Sequence, residues 1–141
     1  MNPSAPADPV VQSAARWFWW IAAMSLVNTV MAHTGSNSSF VIGLAMTAFA
    51  DGMAASAPVA AFVLTGVLLA FYVLMGLFGI RGKAWAFYAG IAVYVVDALI
   101  YVCFDAWLCV AFHVYAIFWL AKGVMRLNAM KNAPAEAIEA A

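Results

Sequence analysis

Four long apolar stretches separated by short polar breaks run through the chain, at about 15–32, 57–80, 84–104 and 106–125. Each supplies the ~18–25 residues with which a helix crosses a hydrocarbon core of ~30 Å. The pattern therefore predicts an all-α integral membrane protein, a four-transmembrane-helix bundle. Ser56, ahead of Ala57 and Pro58, reads as the N-cap of the second span, with proline in the first turn where its missing N–H costs nothing. Arg81-Gly82-Lys83 joins the second span to the third, and Asp105 sits at the tight turn before the fourth, where it reads as that helix's N-cap. Between the first two spans, 40–54 (FVIGLAMTAFADGMA) reaches only ~22 Å as a helix and contains the turn signal Asp51-Gly52. It predicts a short helix lying in or dipping into the interface, with a fifth span as the alternative. The Pro/Ala-rich residues 1–13 predict a disordered cytoplasmic N-terminus, 14–127 the membrane domain and 128–141 a cytoplasmic tail.

Composition sharpens this picture. The chain is 68% hydrophobic and 9% charged, against roughly 45–50% and 25% in a soluble domain. With 141 residues it has too little interior to hide that much apolar surface from water. The aromatic run WFWW at 17–20 suits a membrane-interface belt better than a cleaved leader. Net charge is zero, which argues against nucleic acid as a partner. With four spans, Arg16, Arg81, Lys83, Lys122, Arg126 and Lys131 all fall on one side of the membrane. The positive-inside rule then puts both termini in the cytoplasm, with 33–56 and the Asp105 turn facing outward.

Candidate chemistry concentrates in DALIYVCFDAWLCVAFH, residues 97–113. Asp97 and His113 each lie eight residues from Asp105, about 12 Å of helix, so the hairpin brings them to the same depth on antiparallel neighbours. An isolated Asp near the bilayer centre costs about 2.5–3.5 kcal/mol, and an imidazole partner recovers much of that. Tyr94, Asp97 and Tyr101 form one polar stripe on the third span, and Ser25, Asn28 and Ala32 a similar one on the first. The candidate cluster is Asp97, His113, Asn28 and Tyr101. It reads either as a buried pair fixing helix register or as a proton-responsive or solute-binding site. Gly66, Gly76, Gly79 and Gly90 read as points of close backbone approach. No metal site is expected, because His33, Asp51, Asp97, Asp105 and His113 show no i, i+4 ligand pairing. Haem fails too, since His33 and His113 differ in depth by ~12 Å. No cofactor is expected. Cys103 and Cys109 read as packed thiols, and neither GxSxG, HExxH, CxxC, a P-loop nor a dinucleotide fingerprint occurs.

The blocks WFWWIAAMSLVNTV, SNSSFVIGLAMTAFADG and DALIYVCFDAWLCVAFHVYAIFWL resemble a group of small, uncharacterised bacterial membrane proteins over most of 16–125. The resemblance implies an inner-membrane protein with helical spans and a short helix after the first. It carries no activity, cofactor or catalytic residue. The functional expectation is a non-enzymatic structural or accessory subunit whose partners are the lipid bilayer and a second copy or another membrane protein. The alternatives are a proton-linked transporter, channel or sensor built on Asp97 and His113, and a membrane enzyme acting on lipid or quinone.

Overall fold

The computed structural model describes residues 8–35 and 43–133. Five helices follow one another: α1 (Pro9–His33), α2 (Ala45–Met53), α3 (Pro58–Ile80), α4 (Ala84–Cys103) and α5 (Trp107–Asn132). Of these, α3, α4 and α5 are long and apolar enough to cross a membrane. α1 is long enough, at 25 residues, but more polar in composition. Large apolar side chains stand exposed on the outer faces, among them Val59, Phe62 and Val67 of α3 and Leu108, Val114 and Phe118 of α5. Such a surface suits lipid as the solvent.

α1 begins six residues before the expected first span, so 9–13, read in the sequence as disordered, are helical. Asp8 explains the early start. Its Oδ1 accepts from the backbone N–H groups of Val10 and Val11 at 2.9 and 3.3 Å, and Pro9 fits the first turn. α5 likewise runs past the expected boundary at 128, to Asn132, because its last turns still find partners. Arg126 Nε donates to Asp8 Oδ2 at 2.7 Å, Leu127 is buried, and Asn128 Nδ2 donates to the Tyr88 hydroxyl at 3.2 Å. The Asp8–Arg126 contact, with Leu127 against Gly82, gathers the start of α1, the α3–α4 turn and the end of α5 at one end of the bundle. All six basic residues belong to these segments.

The two hairpin turns share one device. After α3, Gly82 takes φ +72°, its N–H bonds to Gly79 O and that of Lys83 to Phe78 O. After α4, Asp105 takes φ +55°, its N–H bonds to Val102 O and that of Ala106 to Tyr101 O. Both are Schellman endings with a left-handed residue just past the helix. Asp105 therefore terminates α4; it does not cap α5, whose N-cap is Ala106 with no side-chain bond. Ser56 also departs from its expected role. Its hydroxyl donates to Met53 O at 3.1 Å, closing the turn after α2, while Ala57 stands at the N-cap of α3 without a side-chain bond.

α1 is the central helix, burying Ala14, Ala15, Phe18, Ile21, Ala22, Ser25 and Thr29 against its neighbours. Glycines bring the helices together: Ala15 meets Gly79, Phe18 lies over Gly90, Trp19 over Gly76, and Ala14 meets Gly123. Gly66, which the sequence reads as another contact point, faces open space. α2 packs on α1, α3 and α4 and buries Ala45, Thr47 and Ala50. It is shorter than the 40–54 helix of the sequence reading, whose first residues 40–42 lie outside the described residues, and Asp51 sits inside it.

Candidate functional site

On α4 the spacing i, i+3, i+7 brings Tyr94, Asp97 and Tyr101 to one inward stripe, and α5 presents His113 opposite. Asp97 and His113 are both 0% exposed, and His113 Nε2 lies 2.9 Å from Asp97 Oδ2. The other ring nitrogen, Nδ1, lies 2.8 Å from Cys109 O. A carbonyl only accepts, so Nδ1 carries a hydrogen and donates it. One further proton then lies between Nε2 and Oδ2. Whichever atom holds it, the pair has no net charge, which makes burial among apolar side chains tolerable.

The carboxylate has two more donors. Ala45 N–H reaches Oδ2 at 2.8 Å and Met46 N–H reaches Oδ1 at 2.9 Å. These amides belong to the first turn of α2, where no helix offers them internal partners. Leu44, the N-cap residue, has no side chain able to accept. Asp97 therefore caps α2 from another helix, 52 residues away in sequence, and meets the positive end of its dipole. The approach to α2 is fixed by three further bonds. Ser25 Oγ accepts from Leu44 N–H at 3.0 Å and donates to Ile21 O at 2.8 Å. Tyr101 OH donates to Gly43 O at 3.0 Å.

Aromatic rings close the imidazole in. Tyr94 stacks on it with centroids 4.1 Å apart and planes at 17°, and Tyr101 meets it edge-on at 5.2 Å. The hydroxyls of Tyr72 and Tyr94 are buried and find no hydrogen-bond partner among the described residues.

The far end of α2 is held by a second acid. Thr29 Oγ1 donates to Asp51 Oδ2 at 3.1 Å, and His33, whose Nδ1 donates to Thr29 O at 2.8 Å, stands 3.9 Å from Asp51 Oδ1. Both histidines of the chain thus accompany aspartates that fasten α2.

Of the expected cluster, the structure brings together Asp97, His113 and Tyr101. Asn28 is half-buried with its amide against Gly43, so close that a Cβ there would collide with it. That places it beside the approach to α2. Thr29, not the exposed Ala32, continues the polar stripe from Ser25. Sequence reasoning missed the amides of Ala45 and Met46 because backbone donors leave no mark on residue identity. No signal was available, because the helix expected over 40–54 is preceded by Ser38 and Ser39, and only a start at Ala45 leaves it without a capping side chain of its own. Among the described residues, no three His, Cys, Asp or Glu side chains gather to hold a metal ion, and both cysteines are free. An apolar cleft of about 680 Å³ opens between α2, α3 and α4, lined by Met46, Phe49, Leu64, Ile100 and Phe104.

No protein-family model matches the chain, no curated protein matches it, and no solved structure matches it.

Proposed function

We propose that this chain is a four-span protein of a bacterial inner membrane, both termini cytoplasmic, with a non-catalytic structural or accessory role. A single observation carries that role. The ionisable pair in the core is fully buried, and its hydrogen bonds run to the α2 amides of Ala45 and Met46, to the Cys109 carbonyl and between its own two members. A substrate-binding acid keeps a free face for its ligand; this one has none in this conformation. The four-span reading is supported by the length of α1 and its place against α3 and α5, where a helix lying on the surface would not be enclosed. The orientation is supported by the six basic residues at one end of the bundle.

A second reading, a proton-linked sensor or transporter, has one observation in its favour: Asp97 is the side-chain acceptor at the start of α2, so moving its proton changes how that helix is held.

One experiment separates the two readings. Asp97→Asn and His113→Ala are made in the full chain, and unfolding in detergent and pH-dependent ion flux in vesicles are both measured. The structural role requires both variants to lose stability with no flux in any form. Intact stability with an altered pH-dependent flux in Asp97→Asn overturns it. Reporters active on one side only, fused to the C-terminus, test the orientation, and an external C-terminus refutes it.

A further inference from the structure

Ser13, Arg16, Trp17, Trp20 and Met24 recur at helical spacing along one face of α1, and a groove of about 390 Å³ runs beside them. Its chemistry changes in one direction. A hydroxyl and a guanidinium stand at the rim, indole rings follow, and a thioether lies ~16 Å deeper along the axis. α5 flanks this face. Trp17 meets Tyr115 edge-on at 5.4 Å, Tyr115 meets Trp119 at 6.2 Å, and Lys122 Nζ stands 4.5 Å over the Trp119 ring. Because Ala14 abuts Gly123, Arg16 and Lys122 lie at about the same level. Neither has an acidic partner among the described residues, whereas Arg126, one turn further along α5, is taken up by Asp8.

We infer that this groove is a binding site for an anionic phospholipid. Arg16 and the Ser13 hydroxyl take the phosphate, Lys122 adds a second positive charge, and one acyl chain lies along Trp20 and Met24. The guanidinium fork suits phosphate oxygens, and the charge left over at this level calls for an anion. The gradient from cation through indole to thioether follows a phospholipid from headgroup to chain. Basic pockets beside membrane helices recognise such headgroups. The site rests on α1 crossing the membrane, as proposed above.

The test is native mass spectrometry of the full chain released from vesicles of phosphatidylglycerol and phosphatidylethanolamine. The expected result is retention of phosphatidylglycerol in preference, falling about fivefold in Arg16→Gln and again in Lys122→Gln, since each cation near the surface contributes about that factor. Lys131→Gln, outside the groove, retains the wild-type preference, and millimolar inorganic phosphate leaves the lipid in place. Equal retention of the two lipids overturns the site, as does an equal loss in Lys131→Gln or displacement by free phosphate. Whether α1 crosses is read separately, by thiol labelling of Val10→Cys and Val30→Cys from each side of sealed vesicles, in a chain also carrying Cys103→Ser and Cys109→Ser. Labelling from opposite sides without lipid preference overturns the lipid site alone. Labelling of both positions from one side overturns the four-span reading and this site with it.

Discussion

His113 faces Asp97 through Nε2 at 2.9 Å while the Cys109 carbonyl holds its Nδ1 at 2.8 Å, so the ring is fixed on both sides. Removing one partner is therefore not equivalent to removing the other. His113→Ala leaves a carboxylate in the core without its shared proton, a loss of about 3–5 kcal/mol when one member of a buried pair goes. In Asp97→Asn the amide keeps one acceptor for α2 and still faces Nε2, so the loss is nearer the ~1–2 kcal/mol of a forfeited buried hydrogen bond. Unfolding free energies in detergent check the order. A larger loss in Asp97→Asn than in His113→Ala would show that the bonds from Asp97 to the α2 amides outweigh its bond to the imidazole.

At the opposite end, the guanidinium of Arg126 bonds to the Asp8 carboxyl and holds it below the ordinary 3.8, aided by the N–H groups of Val11 and Val10 and opposed by burial. A carboxyl whose folded value is depressed contributes stability above its unfolded value and loses that contribution as pH falls through the folded one. The first turn of α1 should thus hold at neutral pH and fray only in acid below about pH 4. Amide exchange at Val10 and Val11 reads this directly. In Asp8→Ala the same amides should exchange quickly at every pH, with a capping loss of about 1 kcal/mol.

The boundaries of α3 and α4 and the start of α5 were legible because proline and turn residues punctuate them: Pro58 opens α3, Gly82 ends it and Asp105 ends α4. The meeting of Asp97 and His113 was legible for the same reason, since a tight turn midway makes equal spacing equal depth. What the acid does there was not legible. Its ligands are the backbone amides of Ala45 and Met46, and LAM, residues 44–46, reads as plain apolar sequence. The early start of α1 was hidden by composition. Pro9 and Asp8 belong to a segment rich in proline and alanine, and only the side-chain bonds of Asp8 make it a cap.

Two glycines that look alike in sequence should behave oppositely. A Cβ on Gly123 would stand 2.6 Å from Ala14 Cβ and 2.9 Å from Phe87, and neither the alanine nor its backbone can yield without shifting α1. Gly123→Ala should destabilise by about 1–3 kcal/mol, as overpacking does. Gly66→Ala meets nothing within 4 Å and should stabilise α3 by about 0.5–1 kcal/mol through reduced backbone freedom in the unfolded chain. Parallel thermal unfolding of the two variants settles the sign of each.

Asp105 provides a test of the turn itself. At φ +55° a side chain costs about 1 kcal/mol relative to glycine, so Asp105→Gly should raise stability slightly and Asp105→Val lower it by ~1–2 kcal/mol. An N-cap aspartate would behave differently, because glycine there brings a small loss rather than a gain. A drop in melting temperature for Asp105→Gly would therefore restore the capping role.

The buried hydroxyls of Tyr72 and Tyr94 offer the last prediction. Both rings are needed for packing: Tyr94 covers the imidazole, and Tyr72 meets Phe18 and Phe71 at 6.2 and 5.3 Å. Their oxygens, however, are desolvated without a partner among the described residues, which opposes folding by about 1–3 kcal/mol apiece. Phenylalanine keeps the ring and removes the unsatisfied group. Tyr72→Phe and Tyr94→Phe should each leave stability unchanged or raise it by up to ~2 kcal/mol, and Tyr94→Leu, which loses the stack, should lower it. If Tyr94→Phe instead cost as much as Tyr94→Leu, the hydroxyl would have a partner that the packing around His113 does not account for.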